Sequence, residues 1–389
     1  MDVKSLAKKY ENYIIAMRRD FHQNPELSWA EYRTTEIIER ELKAFGIETK
    51  RLKNTGVIGI LKGREKGKTV ALRADIDALE LKEETELTFK STNGYMHACG
   101  HDCHTAMLLG AAKILSELKD EIKGNIKFIF QPAEETCVGA KKIIEQDNVL
   151  EDVDGIFGMH IWGTLQSSKF NIEKGARMAS ADTFRIKIKG LASHGSTPHL
   201  GIDAVVASSA VVMNLQSIVS RTIDPLEPVV ITIGTIKGGD RFNIIANEVI
   251  MEGTTRAFSR EVRNSLEGKM REIVSNTAKT YGAEGILEYE YCPAPLINDD
   301  KLTDIAINSA IKLYGNEILI PMEKLTVSED FTYFMDKIPG AFAFLGCGNE
   351  KIGIYSNHNN KFMVDEGALH KGSALYAQFA LDFQNLCLK

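Results

Sequence analysis

Apolar positions recur at helical spacing over residues 3–19 and 30–45, the second stretch closed by Gly46. The connector between them, from Asp20 to Glu26, carries His22 and a proline stop at Pro25. A loop histidine beside a proline reads first as a local hydrogen-bonding group, with a site role as the alternative. Aliphatic and β-branched runs at 57–62, 69–73, 125–130 and 155–161 read as buried strands. Residues 105–118 have helical apolar spacing and fall between the second and third of these runs. The period then changes. Residues 182–189 alternate like a half-exposed strand, and 201–220 are helical from near Asp203, rich in Ala, Val and Ser. Two strands follow at 229–236 and 248–256, then a charged amphipathic helix at 260–281 and a strand at 285–291. The order β-α-β-β-α-β is a compact two-layer unit. Residues 179–294 therefore read as an inserted, ferredoxin-like domain, with Pro293 and Pro295 at its exit. The first pattern resumes with a helix at 301–313, a helix beginning in 328–335, a strand at 341–345, a polar loop at 355–360 and a closing helix at 367–385. The expectation is an α/β fold with a central mixed sheet flanked by helices, discontinuous over 1–178 and 295–389.

Composition excludes more than it assigns. The 389 residues carry a net charge of −6, which gives no reason to expect nucleic acid or an anionic membrane as partner. No N-terminal apolar run resembles a signal peptide, and no segment is read as reaching transmembrane length. The cysteines, at 99, 103, 137, 292, 347 and 387, have no framework spacing, so a cytoplasmic chain with reduced thiols is expected.

One stretch concentrates chemistry. Residues 94–105, GYMHACGHDCHT, set out His97, Cys99, His101, Asp102, Cys103 and His104 just before a helical run. Thiolate and imidazole bind zinc, manganese, cobalt or nickel. Gly94 and Gly100 let the backbone turn so that side chains converge. Other strand ends supply further candidates. The second strand leads into Asp75 and Asp77, which alternation puts on one side; a solvated strand end is the plainer alternative. The third delivers Glu134 and Glu135, the fourth carries His160 near its end, and the 355–360 loop holds His358. Cys99, His101, Glu135, His160 and His358 exceed what one tetrahedral ion needs and suit two metals, bridged by Cys99 and a solvent oxygen. Neighbouring carboxylates can divide the roles of metal ligand and proton acceptor.

The segments HACGHDCHTA, ALRADIDAL, FQPAEE, GMHIWG, KGLASHGSTPH, SEDF and the late His-Asn pair resemble the M20 metallopeptidase/amidohydrolase family, in order, from about residue 15 to 385. The likeness is to the branch of N-acyl-amino-acid amidohydrolases, hippurate hydrolases, indole-acetyl-amino-acid hydrolases and N-acetyl-diaminopimelate deacetylases. It implies metal-dependent hydrolysis of the amide bond of N-acyl amino acids by a metal-activated water. It implies two divalent ions per subunit, zinc or manganese first and cobalt or nickel next, held by Cys99, His101, Glu135, His160 and His358. It implies Glu134 as general base, Asp77 as the carboxylate orienting a ligand, and His194 as a donor reaching across a homodimer built through the inserted domain, with a dimer-based tetramer as a variant. It also implies Asn243 and Arg256 as holders of the substrate carboxylate, a task that suits the planar guanidinium. His199 and Asp330 are further candidates. Ala246 and Glu80 stand where many relatives have proline, which bears on loop rigidity and substrate shape. The alternatives are a dipeptidase of the same family and a binding protein on an inactive scaffold.

Overall fold

The computed structural model describes residues 2–350 and 355–386, so Cys387 lies outside the described residues. The chain divides into two compact units, Met1–Gly175 with Ile297–Glu323 and Asp330–Lys389, and Ala176–Leu296 with Lys324–Glu329. The crossings occur at short strands rather than at the boundaries read at 178 and 295. The return of 324–329 to the second unit leaves no mark in the pattern.

The first unit starts with α1 (Val3–Lys9), α2 (Glu11–Gln23), α3 (Tyr32–Ala44), β1 (Glu48–Arg51), β2 (Val57–Lys62), β3 (Glu65–Asp75), α4 (His101–Glu117), β4 (Lys123–Gln131), α5 (Gly139–Asp147), β5 (Gly155–Gln166) and β6 (Phe170–Asn171). The chain then runs through β7 (Gly175–Met178), β8 (Asp182–Lys189), α6 (Ala204–Ser217), β9 (Val229–Gly238), β10 (Glu248–Ala257), α7 (Arg260–Thr280), β11 (Glu284–Glu290) and β12 (Leu296–Asn298). It closes with α8 (Asp300–Tyr314), α9 (Thr332–Met335), β13 (Gly340–Gly348) and α10 (Leu369–Leu386).

Seven strands of the first unit form a sheet in the order β1-β2-β4-β3-β5-β13-β6. Its centre is parallel, β4 to β3 to β5 to β13, and its flanks are antiparallel. The central strands are covered on both faces, so β13 is buried throughout. The flank strand β1 went unread because its sequence, ETKR, is charged and largely exposed, as sheet edges tend to be. Three other expectations need correction. The first helix is two, α1 and α2, parted at Tyr10 (φ −96°, ψ 7°). β5 runs on to Gln166, which puts His160 in mid-strand, because residues past His160 keep their pairing with β13. Only Thr332–Met335 of the stretch 328–335 is α-helical.

Helix α4 is the buried spine of this unit. Its Gly110 lies so close to α2 and α10 that a Cβ would meet Ser373 Oγ at 2.4 Å and Ile14 Cγ1 at 2.7 Å. Ser373 Oγ donates to the Met107 carbonyl at 2.8 Å, which fastens α10 to α4. The stretch that carries the candidate metal ligands sits at the N-terminus of this spine.

In the second unit four antiparallel strands run in the order β11-β8-β10-β9. The alternation of β8 turns Phe184, Ile186 and Ile188 inward against α6 and α7. Asp203 caps α6 by accepting from the Val205 and Val206 N–H groups. With the π-helical turn after it, this helix is long and apolar enough to cross a membrane by length and composition, which corrects the reading of no segment of that length. The Ala/Val/Ser composition produces that length, while Ala207, Val211 and Leu215 pack into the unit's own core.

Candidate metal centre

The site is built from the N-terminus of α4, the chain just past β3 and β4, the middle of β5 and one loop. Gly100, at φ 95°, caps α4, and a Cβ there would meet Ile161 Cδ1 at 2.4 Å. That turn leaves Cys99 in the loop and puts His101 on the first helical turn. After β4 the chain passes Ala133 in the left-handed region (φ 57°), makes one 3₁₀ turn carrying Glu134 and Glu135, and leaves through Cys137, also left-handed (φ 58°). His358 (φ 66°) is held by its own N–H donating to the Ala98 carbonyl at 2.8 Å. Asn357 beside it donates to the Cys99 carbonyl at 2.9 Å. Three left-handed non-glycine residues at one site mark stored backbone strain of the kind found at functional centres.

The structure brings together Asp77, Cys99, His101, Glu134, Glu135, His160 and His358. Cys99 Sγ lies 3.3 Å from His160 Nε2 and 3.3 Å from His358 Nε2. Glu135 Oε1 is 3.5 Å from His358 Nε2 and 3.9 Å from His101 Nε2. Glu134 Oε2 is 3.9 Å from His101 Nε2. His101 and His160 each have one ring nitrogen committed outside the cluster. His101 Nδ1–H donates to Asp77 at 3.1 Å, and His160 Nδ1–H donates to the Ile161 carbonyl at 2.5 Å. Their Nε2 lone pairs are thus left for the cluster. Asp77 also accepts from Ser28 Oγ at 2.6 Å and from the Glu135 N–H at 3.1 Å.

These residues fit divalent cations. His101 Nε2 and Glu135 Oε1 are buried and have no hydrogen-bond partner among the described residues. Two donor triads, Cys99/His101/His160 and Cys99/Glu135/His358, share the thiol. Burial pushes the Glu135 carboxyl up to about 7, with Asp77 and Asp75 adding to it and His101 opposing. Burial works against charge on His101 too, yet Asp75 and Asp77 raise it to about 10. Burial depresses His160 well below the usual imidazole range. Asp75, Asp77 and Glu135 thus all favour positive charge at His101, which a cation at its Nε2 would supply in place of a proton.

Two further candidates border the cluster but have partners of their own, and the rest lie apart from it. His104 is spoken for: its Nδ1–H meets Asp75 at 2.5 Å and its Nε2 accepts from the Ile161 N–H at 2.8 Å. Asp330 is buried, accepting from Arg73 at 3.0 Å and from Gln131 at 2.8 Å. His22 is also buried, between Asp102 (2.8 Å) and Glu83 (3.1 Å), as a hydrogen-bonding group. His194, Asn243, Arg256 and the exposed His199 belong to the second unit. There His194 Nδ1 accepts from the Ser196 N–H at 3.1 Å, which leaves the proton on Nε2. The Asn243 carbonyl accepts from Gly195 N–H at 2.8 Å, so His194 and Asn243 are neighbours. Arg256 donates to Thr254 Oγ1 and to the Thr255 carbonyl. Sequence reasoning missed Ser28, Glu31, Arg73 and Gln131. Alternation along β3 could have grouped Arg73 with Asp75 and Asp77; the connector residues Ser28 and Glu31 gave no signal.

Comparison with known proteins is consistent with this chemistry. The model of peptidase family M20/M25/M40 matches residues 71–382. The chain is 42% identical to thermostable carboxypeptidase 2 of Saccharolobus solfataricus over 391 aligned residues, covering 98% of each chain. It is 39% identical to N-acetyl-L-cysteine deacetylase of Bacillus subtilis over 365 residues, covering 93% of this chain and 86% of the other. A solved dinuclear metal-binding peptidase of the M20 family from Bacillus subtilis shares the fold at a TM-score of 0.87 and 36% identity, with 97% of this chain and 99% of that chain covered. The chain therefore belongs to peptidase family M20/M25/M40, as a metal-dependent hydrolase of amide bonds.

Proposed function

We propose that this enzyme hydrolyses the amide bond of N-acyl amino acids, releasing a carboxylic acid and a free amino acid. The observation that carries the reading is the glutamate pair on one strained turn: Glu135 Oε1 sits among the imidazoles without a hydrogen-bond partner, while Glu134 stands beside them. Cys99, His101, Glu135, His160 and His358 would hold two divalent cations, zinc or manganese first and cobalt or nickel next, as the family resemblance implies. Bound there, the cations polarise the scissile carbonyl and acidify a water. Glu134 takes the proton from the attacking water and returns it to the leaving amine. Asp77 keeps the His101 Nε2 lone pair on the cluster. Asn243 and Arg256 bind the substrate carboxylate, and His194 offers its Nε2–H to the developing oxyanion.

The names of two relatives support the substrate class. A carboxypeptidase and an N-acetyl-L-cysteine deacetylase both cut an amide whose amine side is an amino acid. The carboxypeptidase relative favours one second reading, cleavage of short peptides at the C-terminal residue. We place the enzyme in the cytoplasm as a homodimer formed through the second unit. The test is an assay of N-acetyl, N-benzoyl and N-indolylacetyl amino acids beside unblocked dipeptides, with manganese, zinc or cobalt added. Turnover of the N-acyl compounds is expected; turnover confined to free-amine dipeptides would replace this reading with a dipeptidase.

A further inference from the structure

The turn that carries Glu134 and Glu135 is entered through a residue with a Cβ in a backbone conformation such residues adopt reluctantly, Ala133 at φ 57° and ψ 39°. Something must hold it there. Its N–H donates to Glu31 Oε1 at 2.8 Å. The other carboxylate oxygen, Glu31 Oε2, accepts from Thr55 Oγ1 at 2.5 Å. Glu31 and Thr55 are 0% and 1% exposed, so neither bond competes with water. Gly56, next to Thr55, packs so tightly under the same turn that a Cβ there would meet the Phe130 carbonyl at 2.6 Å and Pro132 Cδ at 2.8 Å. The connector before α3 also reaches the far side of the turn, because Ser28 anchors the Asp77 carboxylate that accepts the Glu135 N–H.

We propose that Glu31 is a positioning residue, whose buried carboxylate holds Ala133 left-handed and so sets where the Glu134 carboxylate stands against the metal-ligand cluster. The inference rests on the reading of Glu134 as the general base. A carboxylate suits the task because each oxygen serves one donor. A glutamine keeps the shape: its amide oxygen accepts from Ala133 and its NH₂ faces Thr55 Oγ1, which can accept. Alanine leaves two buried donors without partners, and the turn relaxes toward the right-handed region.

The test compares Glu31→Ala, Glu31→Gln, Ala133→Gly and the Glu31→Ala/Ala133→Gly double variant. Two readouts are used: kcat and KM on the fastest-cleaved member of the N-acyl panel with manganese bound, and amide exchange of segment 131–139 in the metal-free protein. Glu31→Ala is expected to lower kcat by about 10–100-fold with KM nearly unchanged, since a displacement of about 1 Å in a reacting group costs on that scale. Segment 131–139 should exchange faster than in wild type, while Glu31→Gln keeps both readouts near wild type. Glycine takes the left-handed conformation freely, so Ala133→Gly should restore kcat about fivefold or more in the Glu31→Ala background. Wild-type kcat in Glu31→Ala overturns the proposal. So does a lower melting temperature with unchanged exchange of 131–139 and no rescue by Ala133→Gly, which is the pattern of a merely structural residue. Should Glu31→Ala not fold, Glu31→Asp, shorter by a methylene, carries the same test, and wild-type kcat and exchange in it overturn the proposal. Glu134→Gln is the control: full activity in that variant sinks the general-base reading, whereas the exchange result on Glu31 stands apart from it.

Discussion

Glu134 and Glu135 are adjacent in the chain yet face different chemistry. Glu135 Oε1 is the oxygen nearest His358 and His101 Nε2 together, at 3.5 and 3.9 Å. Glu134 Oε2 is 3.9 Å from His101 Nε2, and its Oε1 is 3.5 Å from the Asp330 backbone N–H. Replacing Glu134 by Gln should therefore keep metal and fold but lower kcat by about 10²–10⁴-fold, the usual span of general base catalysis. Glu135→Gln should instead lower the metal content, read by elemental analysis after gel filtration. The reverse pattern, metal lost from Glu134→Gln and kept by Glu135→Gln, would exchange the two roles. Cys99→Ala removes the thiol common to both donor triads, so metal content and turnover should fall together. Full metal content with normal turnover in that variant would remove Cys99 from the ligand set. The candidate donors were legible in sequence because thiols, imidazoles and carboxylates gathered in short motifs at predicted strand ends. Ser28 and Glu31 were not, because a serine and a glutamate in a polar connector look solvated until folding sets Ser28 on Asp77 and buries Glu31 against Thr55 and the Ala133 N–H. The tie of His101 to Asp77 came only as what the family resemblance implies, since that bond joins the first turn of α4 to the chain just past β3.

Elements fix where those residues stand. The N-terminus of α4 is clamped from α2: Arg18 donates to Asp102 at 2.9 Å, and His22 bridges Asp102 and Glu83. Burial and Arg18 oppose a charge on His22, but the two carboxylates prevail and hold its pKa above the usual imidazole value. A raised folded-state pKa gives stability that is complete below the unfolded value, about 6.5, and is lost as pH climbs through the folded one. His22→Gln should thus cost about 2–4 kcal/mol at pH 6, the scale for removing one partner of a buried charged pair. The deficit should shrink on the alkaline side, measured as urea midpoints of both proteins from pH 6 to 9. A deficit that grows with pH would show that His22 is neutral in the fold. The close approach at Gly110 makes a second test. Gly110→Ala forces a Cβ against Ile14 and Ser373, so a loss of about 1–3 kcal/mol is expected, since overpacked cores relax only in part. Unchanged urea stability would mean that α2 and α10 yield at no cost. Helical and alternating periods made the elements readable wherever one face was wet. They failed at β1, whose charges hide its pairing, at the Tyr10 break inside a continuous helical pattern, and at the end of β5, where the strand runs through an irregularity at Gly163 and Thr164 and pairs again at Gln166.

At the scale of the whole molecule the second unit presents surface that its own fold does not cover. Val205, Val206 and Met213 on α6 are 46%, 48% and 71% exposed, and Val230 and Ile236 on β9 are 41% and 55% exposed. β9 is also an edge strand, with one side of its ladder unpaired. An apolar helix face beside an open sheet edge suits a two-fold contact in which each copy offers the same surface. If His194 serves the partner's site, its loss and the loss of Glu134 become separable by mixing chains. The double variant Glu134→Gln/His194→Ala is combined with wild type under conditions that exchange subunits, at rising excess of the variant. In trans, a heterodimer has one site with Glu134 but no His194 and one with His194 but no Glu134. Activity per wild-type chain should then fall as heterodimers replace wild-type dimers, toward the residual left when one oxyanion donor is missing, about 10²–10³-fold lower in kcat. In cis, every wild-type chain keeps a whole site and its activity holds steady. Native mass spectrometry confirms that the heterodimers have formed. Steady activity with heterodimers present would assign His194 to its own chain, and sedimentation as a monomer would remove the two-fold contact and the trans role together.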